Sequence, residues 1–177
     1  LKVGVVDLTL FRPFPGDLLG AILKGKKGVA VLERTDQPLA EDLPLMREVR
    51  ATLTKCLENG AQHDPQERAT KSAQGKLPYA GYAAYASAKD MPRLYSGCYG
   101  LGSRDMQPEA LIGTIENMLP GAAQEKFFYL SVDFVRDTPA NPKDEIHIQD
   151  ILVAYPRFRE LALRGSDHPH LLPKDSI

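Results

Sequence analysis

Two cysteines are all this sequence has, and that scarcity excludes much chemistry. An iron–sulfur cluster needs about four thiolates at close spacing, whereas Cys56 and Cys98 stand far apart. Nor do two thiols build a disulfide framework; they read as reduced structural cysteines in a cytosolic protein. Zinc would ask for Cys and His at short spacing. The closest set is His168-Pro169-His170, a proline-stiffened tail with no further ligand nearby, so no metal site is expected. Long apolar runs are missing too, since none approaches the roughly 20 residues that cross a bilayer. A net charge of −1 points to neither a nucleic-acid-binding nor a membrane-surface protein. The first residues, LKVGVVDLTLFRPF, lack the long apolar region and small-residue cleavage site of a signal peptide. They start inside a strand-like pattern without Met, as expected of a fragment of a longer polypeptide.

The remaining composition, 43% hydrophobic and 25% charged over 177 residues, is that of a soluble globular chain able to bury a core without staples. It suits one domain, or one domain with an appendage. The chain is organised around Lys26 to Pro38. There a basic turn and Gly28 lead into the β-branched run Val29-Ala30-Val31-Leu32, and Glu33-Arg34-Thr35-Asp36-Gln37-Pro38 follows as a polar loop. Such a run predicts a strand buried on both faces. The loop after it should lie at the carboxyl edge of an open α/β sheet, where ligands and partners gather.

Val3 to Leu8, continuing to Phe11, predicts a first strand that Pro13 and Pro15 stop. Leu18, Leu19, Ile22 and Leu23 predict a short helix ended by Gly25 or Gly28. Strand, helix and strand then make a βαβ-like unit with a right-handed crossover. Leu45, Met46, Val49, Leu53, Cys56 and Leu57 form one helical stripe, opened by Pro44 and closed by Asn59-Gly60. Residues 59–92 change character. Their first part is polar and predicts a mobile loop. Tyr79, Tyr82 and Tyr85 then recur every third residue. That spacing places them along one side of a short helix, as packing against the domain or as a platform for an aromatic ligand.

Arg93 to Ser96 and Phe127 to Val132 predict two more buried strands. Between them lie a glycine-rich turn, Gly97 to Ser103, and a helix opened by Pro108 with Leu111, Ile112, Ile115, Met118 and Leu119 facing inward. Ile148, Ile151, Leu152 and Tyr155 predict another helix. Pro156 breaks it, and Phe158, Leu161, Ala162 and Leu163 continue the pattern to Gly165. The tail SDHPHLLPKDSI reads as a linker. Strands alternating with helices predict an α/β class with a mostly parallel sheet.

Candidate reactive groups are few. Gly97, Gly100 and Gly102 miss the G-x-G-x-x-G spacing. They provide backbone room for a tight turn, or a phosphate cradle with amides around Ser103 and Arg104. Glu33, Asp36, Asp133 and Asp137 are strand-end carboxylates without a readable partner. Arg12 and Arg34 each follow an expected strand at one sheet edge. A guanidinium there clamps a neighbouring carboxylate or loop backbone, or contacts a substrate.

Taken in order, four stretches resemble the second domain of pyruvate:ferredoxin (flavodoxin) oxidoreductases. They are Leu10 to Pro15 (LFRPFP), Val29 to Thr35 (VAVLERT) with Pro38, Pro44-Leu45 with Val49, and Gly97 to Asp105 (GCYGLGSRD) with Pro108. The ordered set carries the likeness, which runs from Lys2 to Val135. It implies a fold like the C-terminal domain of transketolases, a three-layer α/β/α sandwich over residues 1–140. A polar loop at 59–92 is inserted, and 141–177 form a helical extension and linker toward a following domain. It also implies a cytoplasmic parent enzyme that decarboxylates a 2-oxo acid, expected to be pyruvate, with thiamine diphosphate and magnesium. Electrons would pass through iron–sulfur clusters to ferredoxin or flavodoxin, and the acyl group to coenzyme A.

In that family the thiamine and cluster sites lie on other domains. The chain is therefore expected to be structural, inactive alone, with no catalytic residue and no cofactor of its own. Its partners would be other domains or subunits of the parent, not nucleic acid or membrane. Arg12, Arg34, Thr35, Gly100, Ser103 and Arg104 are the positions expected to contact phosphate or a neighbouring domain. Two alternatives stay open: a coenzyme A or phosphate-binding module acting through the Gly97–Arg104 turn, and a free-standing nucleotide-binding domain.

Overall fold

The β-branched run at the organising stretch is a strand, β1 (Gly28–Glu33). The computed structural model of the chain describes residues 1–61, 77–101, 105–131, 142–163 and 165. Strands β2 (Arg93–Cys98), β3 (Phe127–Leu130) and β4 (Ala162–Leu163) join β1 in one sheet, in chain order. β2 and β3 run parallel, with Ser96 opposite Phe127 and Cys98 opposite Tyr129. β3 and β4 are also parallel, pairing Tyr129 with Ala162. Amide bonds from Arg93 to the Lys27 carbonyl and from Tyr99 to the Glu33 carbonyl step the same way along β1 and β2.

Parallel neighbours need crossovers, and helices supply them. α1 (Gly16–Leu23) precedes β1, and α2 (Pro44–Gly60) joins β1 to β2. α3 (Pro108–Asn117) joins β2 to β3, while α4 (Pro142–Ala154) and α5 (Phe158–Leu161) join β3 to β4. The class is α/β with an all-parallel sheet, as the alternation predicts. Contacts sort the chain into two compact units, Leu1–Val29 with Pro44–Arg93, and Ala30–Leu43 with Leu94–Ile177.

In the first unit α1 lies on α2. Met46, Val49, Leu53 and Cys56 are buried, so the predicted stripe is the packed one. Leu19 and Leu23 are buried on α1, while Leu18 and Ile22 remain exposed. The helices approach closely through small residues: a Cβ on Gly20 would come 2.5 Å from the Cys56 sulfur. The predicted first strand is corrected. Residues 1–11 have no regular structure, and Val3, Val5, Val6, Leu10 and Phe11 are exposed. β-Branched residues favour an extended chain, but a strand exists only where a ladder partner takes its amides. None of the described residues does so here.

The tyrosine helix is corrected too. Residues 77–87 form turns, with Gly81 at φ +84°, and lead into a single 3₁₀ turn at Ala88–Asp90. A side chain on α2 shapes this path. Asn59 is fully buried; its amide donates to the Tyr79 and Tyr82 carbonyls at 2.9 and 3.1 Å and accepts from the Tyr79 amide at 3.0 Å. Three such bonds satisfy a buried amide and fix three backbone groups of a segment without a regular ladder. Tyr85 completes the clasp, its hydroxyl donating to the Gly20 carbonyl at 2.7 Å and its amide to the Cys56 carbonyl at 2.9 Å. The predicted mobile stretch lies mostly at 62–76, outside the described residues.

The second unit is built on Tyr95, Phe128 and Leu130 of the sheet with Ala110 of α3. Leu32, Met106, Met118 and Leu163 close around them. α3 starts at Pro108 as predicted, yet it buries Ala110, Gly113, Thr114 and Asn117, while Leu111 is 46% exposed. Small residues at spacing 0, 3, 4 and 7 make the closer-fitting face. Asn117 repeats the device of Asn59, donating to the Glu125 carbonyl and accepting from the Glu125 amide, both at 2.9 Å. The helix expected to run through Leu163 stops at Leu161, and Ala162–Leu163 become the edge strand β4. A two-residue strand is too short to show in any periodicity.

Candidate functional site

The polar loop after β1 sits at the carboxyl ends of the strands of the second unit, and its backbone and side chains are held there by named partners. Glu33 is buried, and its carbonyl accepts from the Tyr99 amide at 3.0 Å. The Thr35 carbonyl accepts the Cys98 thiol at 3.1 Å. The Asp36 carboxylate accepts the Tyr129 hydroxyl at 3.2 Å. Arg34 lies across the Gly100 turn, where φ is +74° and an added Cβ would meet the arginine Cγ at 2.6 Å. Glycine is needed there both for the left-handed backbone and for the stem of Arg34.

Electrostatics follow from that packing. Burial pushes the Cys98 thiol up from 9.0 to about 11, and the negative charges of Asp36 and Glu33 add to it. Burial, with Asp36 beside it, likewise pushes the Tyr129 hydroxyl from 10.0 to about 12. In the first unit burial raises Cys56, and raises Tyr85 to about 12. At neutral pH these groups are protonated. They are fixed hydrogen-bond donors or packing groups, not nucleophiles.

Two consequences can be measured. Neither thiol is expected to react with an alkylating reagent at pH 8 until urea unfolds the chain; fast labelling of native protein would contradict the packing. Stability should also fall as pH rises. The folded state holds the Cys98 proton more tightly than the unfolded chain, so its contribution is full below about pH 9 and lost between about pH 9 and 11. Urea midpoints taken at pH 7, 9 and 11 check this, and an equal midpoint at pH 7 and 11 would contradict it.

The sequence-predicted positions separate. Arg34, Thr35 and Gly100 share the loop edge just described. Arg12 does not follow a strand: its guanidinium pairs with Glu48 of α2 at 2.8 Å, in the first unit, and lies 4.2 Å from the Phe11 ring centre. Ser103 and Arg104 fall outside the described residues. Sequence reading missed Asp36 as the acceptor of Tyr129, and Cys98 as a donor to the loop. A polar residue at a strand end opposite a tyrosine two strands away leaves no local pattern.

A cleft of about 290 Å³ opens beside β3, lined by Phe127, Tyr129, Tyr155, Arg157, Phe158 and Leu161 among others. Its walls are aromatic rings, with Tyr129 5.0 Å from Phe127 and 5.1 Å from Phe158. Arg157 reaches Glu160 at 3.2 Å and Glu125 at 3.5 Å. Such a surface accepts an apolar side chain; it aims no acid–base pair at a substrate. Among the described residues no three His, Cys, Asp or Glu side chains stand together as metal ligands, and no helix is long and apolar enough to cross a membrane. The donors described do not fit an iron–sulfur cluster: Cys56 and Cys98 are fully buried and belong to different units.

Comparison with known proteins gives one consistent answer. Residues 1–63 match the family described as pyruvate:ferredoxin oxidoreductase core domain II. The chain is 31% identical over 120 residues to pyruvate synthase subunit PorA of Thermotoga maritima, covering 68% of this chain and 22% of that protein. It is 29% identical over 127 residues to the probable pyruvate-flavodoxin oxidoreductase of Escherichia coli, covering 71% and 9%. It is 27% identical over 146 residues to pyruvate:ferredoxin oxidoreductase of Moorella thermoacetica, covering 82% and 10%. The chain thus spans less than a quarter of the length of each of these relatives.

Proposed function

The chain belongs to the pyruvate:ferredoxin oxidoreductase family, as a domain of such an enzyme, and from that premise we propose that it is a structural, non-catalytic domain. Its parent would oxidatively decarboxylate a 2-oxo acid, pyruvate first among candidates, to an acyl-CoA. Thiamine diphosphate, magnesium and iron–sulfur clusters would be held on other domains, and ferredoxin or flavodoxin would take the electrons. The observation that supports this reading is the engagement of the groups that could react. The Cys98 thiol donates to Thr35 and the Tyr129 hydroxyl to Asp36, while the Tyr85 hydroxyl donates to Gly20.

Each of these side chains positions backbone or a loop. The role that follows is to present a rigid loop edge, with Arg34 over Gly100, to a neighbouring domain or subunit. The purified chain, supplied with pyruvate, thiamine diphosphate, magnesium and coenzyme A, is expected to give no pyruvate-dependent reduction of methyl viologen. Turnover by this chain alone would overturn the reading.

A further inference from the structure

Leu39 breaks two local rules at once. Its side chain is fully exposed, and its backbone takes φ +66° at the third position of the turn from Gln37 to Ala40, where glycine or asparagine is usual. The Ala40 amide closes that turn on the Gln37 carbonyl at 3.1 Å. A branched side chain in the left-handed region is unfavourable, and contact with water gives a leucine nothing to offset it. The loop around it is fixed on both sides: Asp36 accepts the Tyr129 hydroxyl, and Leu43 is buried. The turn therefore holds out a rigid apolar knob.

A hole for such a knob lies on the same unit. The cleft of about 290 Å³ beside β3 is walled by the rings of Phe127, Tyr129, Tyr155 and Phe158, and it is larger than a leucine side chain. Leu39 does not fill the cleft of its own chain, since it is fully exposed. Charges match as the shapes do. Glu41, just past the knob, is exposed. Arg157, on the cleft wall, is exposed too, and its contacts to Glu160 and Glu125 occupy only Nε and Nη2 of the guanidinium. Tyr129 joins the two halves: its ring walls the cleft, and its hydroxyl holds the loop that carries Leu39. Halves so close together let two copies exchange knobs about a twofold axis, which closes the assembly. An unrelated partner would have to bring its own knob and its own hole; a second copy carries both. We propose that a second copy of this chain docks here, each Leu39 entering the other's aromatic cleft and each Glu41 meeting the other's Arg157. A contact this small makes a weak, micromolar dimer. The proposal goes beyond the structural role above and uses none of the parent enzyme's chemistry.

The test is sedimentation equilibrium of the full chain from roughly 5 to 500 µM, the range that brackets a micromolar constant. The chain is expected to reach a dimer and stop there. Leu39→Gly suits the positive φ, so circular dichroism should be unchanged while the dimer weakens at least about tenfold, the worth of burying a leucine side chain. Glu41→Lys, which sets like charges against each other, should weaken it at least about threefold. Adding Arg157→Glu to that variant should bring the constant back to within about twofold of the starting protein. Val5→Ser, in the exposed N-terminal segment, should leave it within about twofold. A monomer at every concentration, an equally tight dimer from Leu39→Gly, no recovery on charge exchange, or growth past the dimer would overturn the proposal. Viologen turnover reports separately on the parent reading: an inactive monomer removes the self-docking surface alone, and an active chain removes the structural role whether or not it dimerises.

Discussion

Phe128→Ala is expected to destabilise the second unit by about 3–5 kcal/mol, the range for emptying a buried aromatic site. Phe128 is fully buried at the centre of β3, with Tyr95, Leu130 and Ala110 around it. Its ring fills the space that Gly97 leaves on β2, where an added Cβ would come 2.6 Å from the ring edge. Tyr95 and Leu130 are carried on strands and Ala110 on α3, so they close on the gap only in part. Urea unfolding followed by circular dichroism reads the loss. A change under about 1 kcal/mol would mean that the site repacks and that this core is not close-packed as described.

Gly60→Ala gives the second large effect, and its sign discriminates between two explanations. Helix propensity alone favours alanine over glycine by about 1 kcal/mol. Gly60 is the last residue of α2, however, and a Cβ there would overlap the Tyr85 carbonyl. Neither the helix nor the clasp can move without breaking the Asn59 bonds to Tyr79 and Tyr82 or the Tyr85 amide bond to Cys56. Overpacking against backbone together with one or two lost hydrogen bonds predicts a net loss of about 3 kcal/mol. Hydrogen exchange at the Tyr79 and Tyr85 amides should speed up in the variant. A stabilised protein with unchanged exchange would show that the glycine is an ordinary helix terminus.

These two positions also mark what the sequence could convey. Elements with a long or bounded pattern were legible: the α2 stripe from Met46 to Cys56, β1 between Gly28 and the polar loop, and α3 after Pro108. The likeness to the second domain of the oxidoreductases was legible as well, because it rests on the order of short motifs. What failed depended on partners distant in sequence. Val3 to Phe11 has the composition of a strand, but pairing decides whether one forms. The tyrosine spacing suggested a helix, while a buried asparagine held those residues as turns. Of the apolar residues read as the inner face of α3, Leu111 is exposed and Ile112, Ile115, Met118 and Leu119 are only half-buried, because Ala110 and Gly113 allow the closest approach. In the candidate site, Arg34 and Thr35 were readable from their place after a buried strand. The bonds of Cys98 and Asp36 were not, since each partner lies more than 60 positions away. Charge shows the same limit: a total of −1 says nothing about how 22 basic and 23 acidic residues divide between units.

The account holds that this chain supports chemistry carried out elsewhere in a larger oxidoreductase. Calorimetric titration of the purified chain with thiamine diphosphate and magnesium tests that most directly. The account predicts a flat trace, with heats equal to dilution. A saturable one-to-one isotherm would contradict it, because the chain would then hold the reacting cofactor itself.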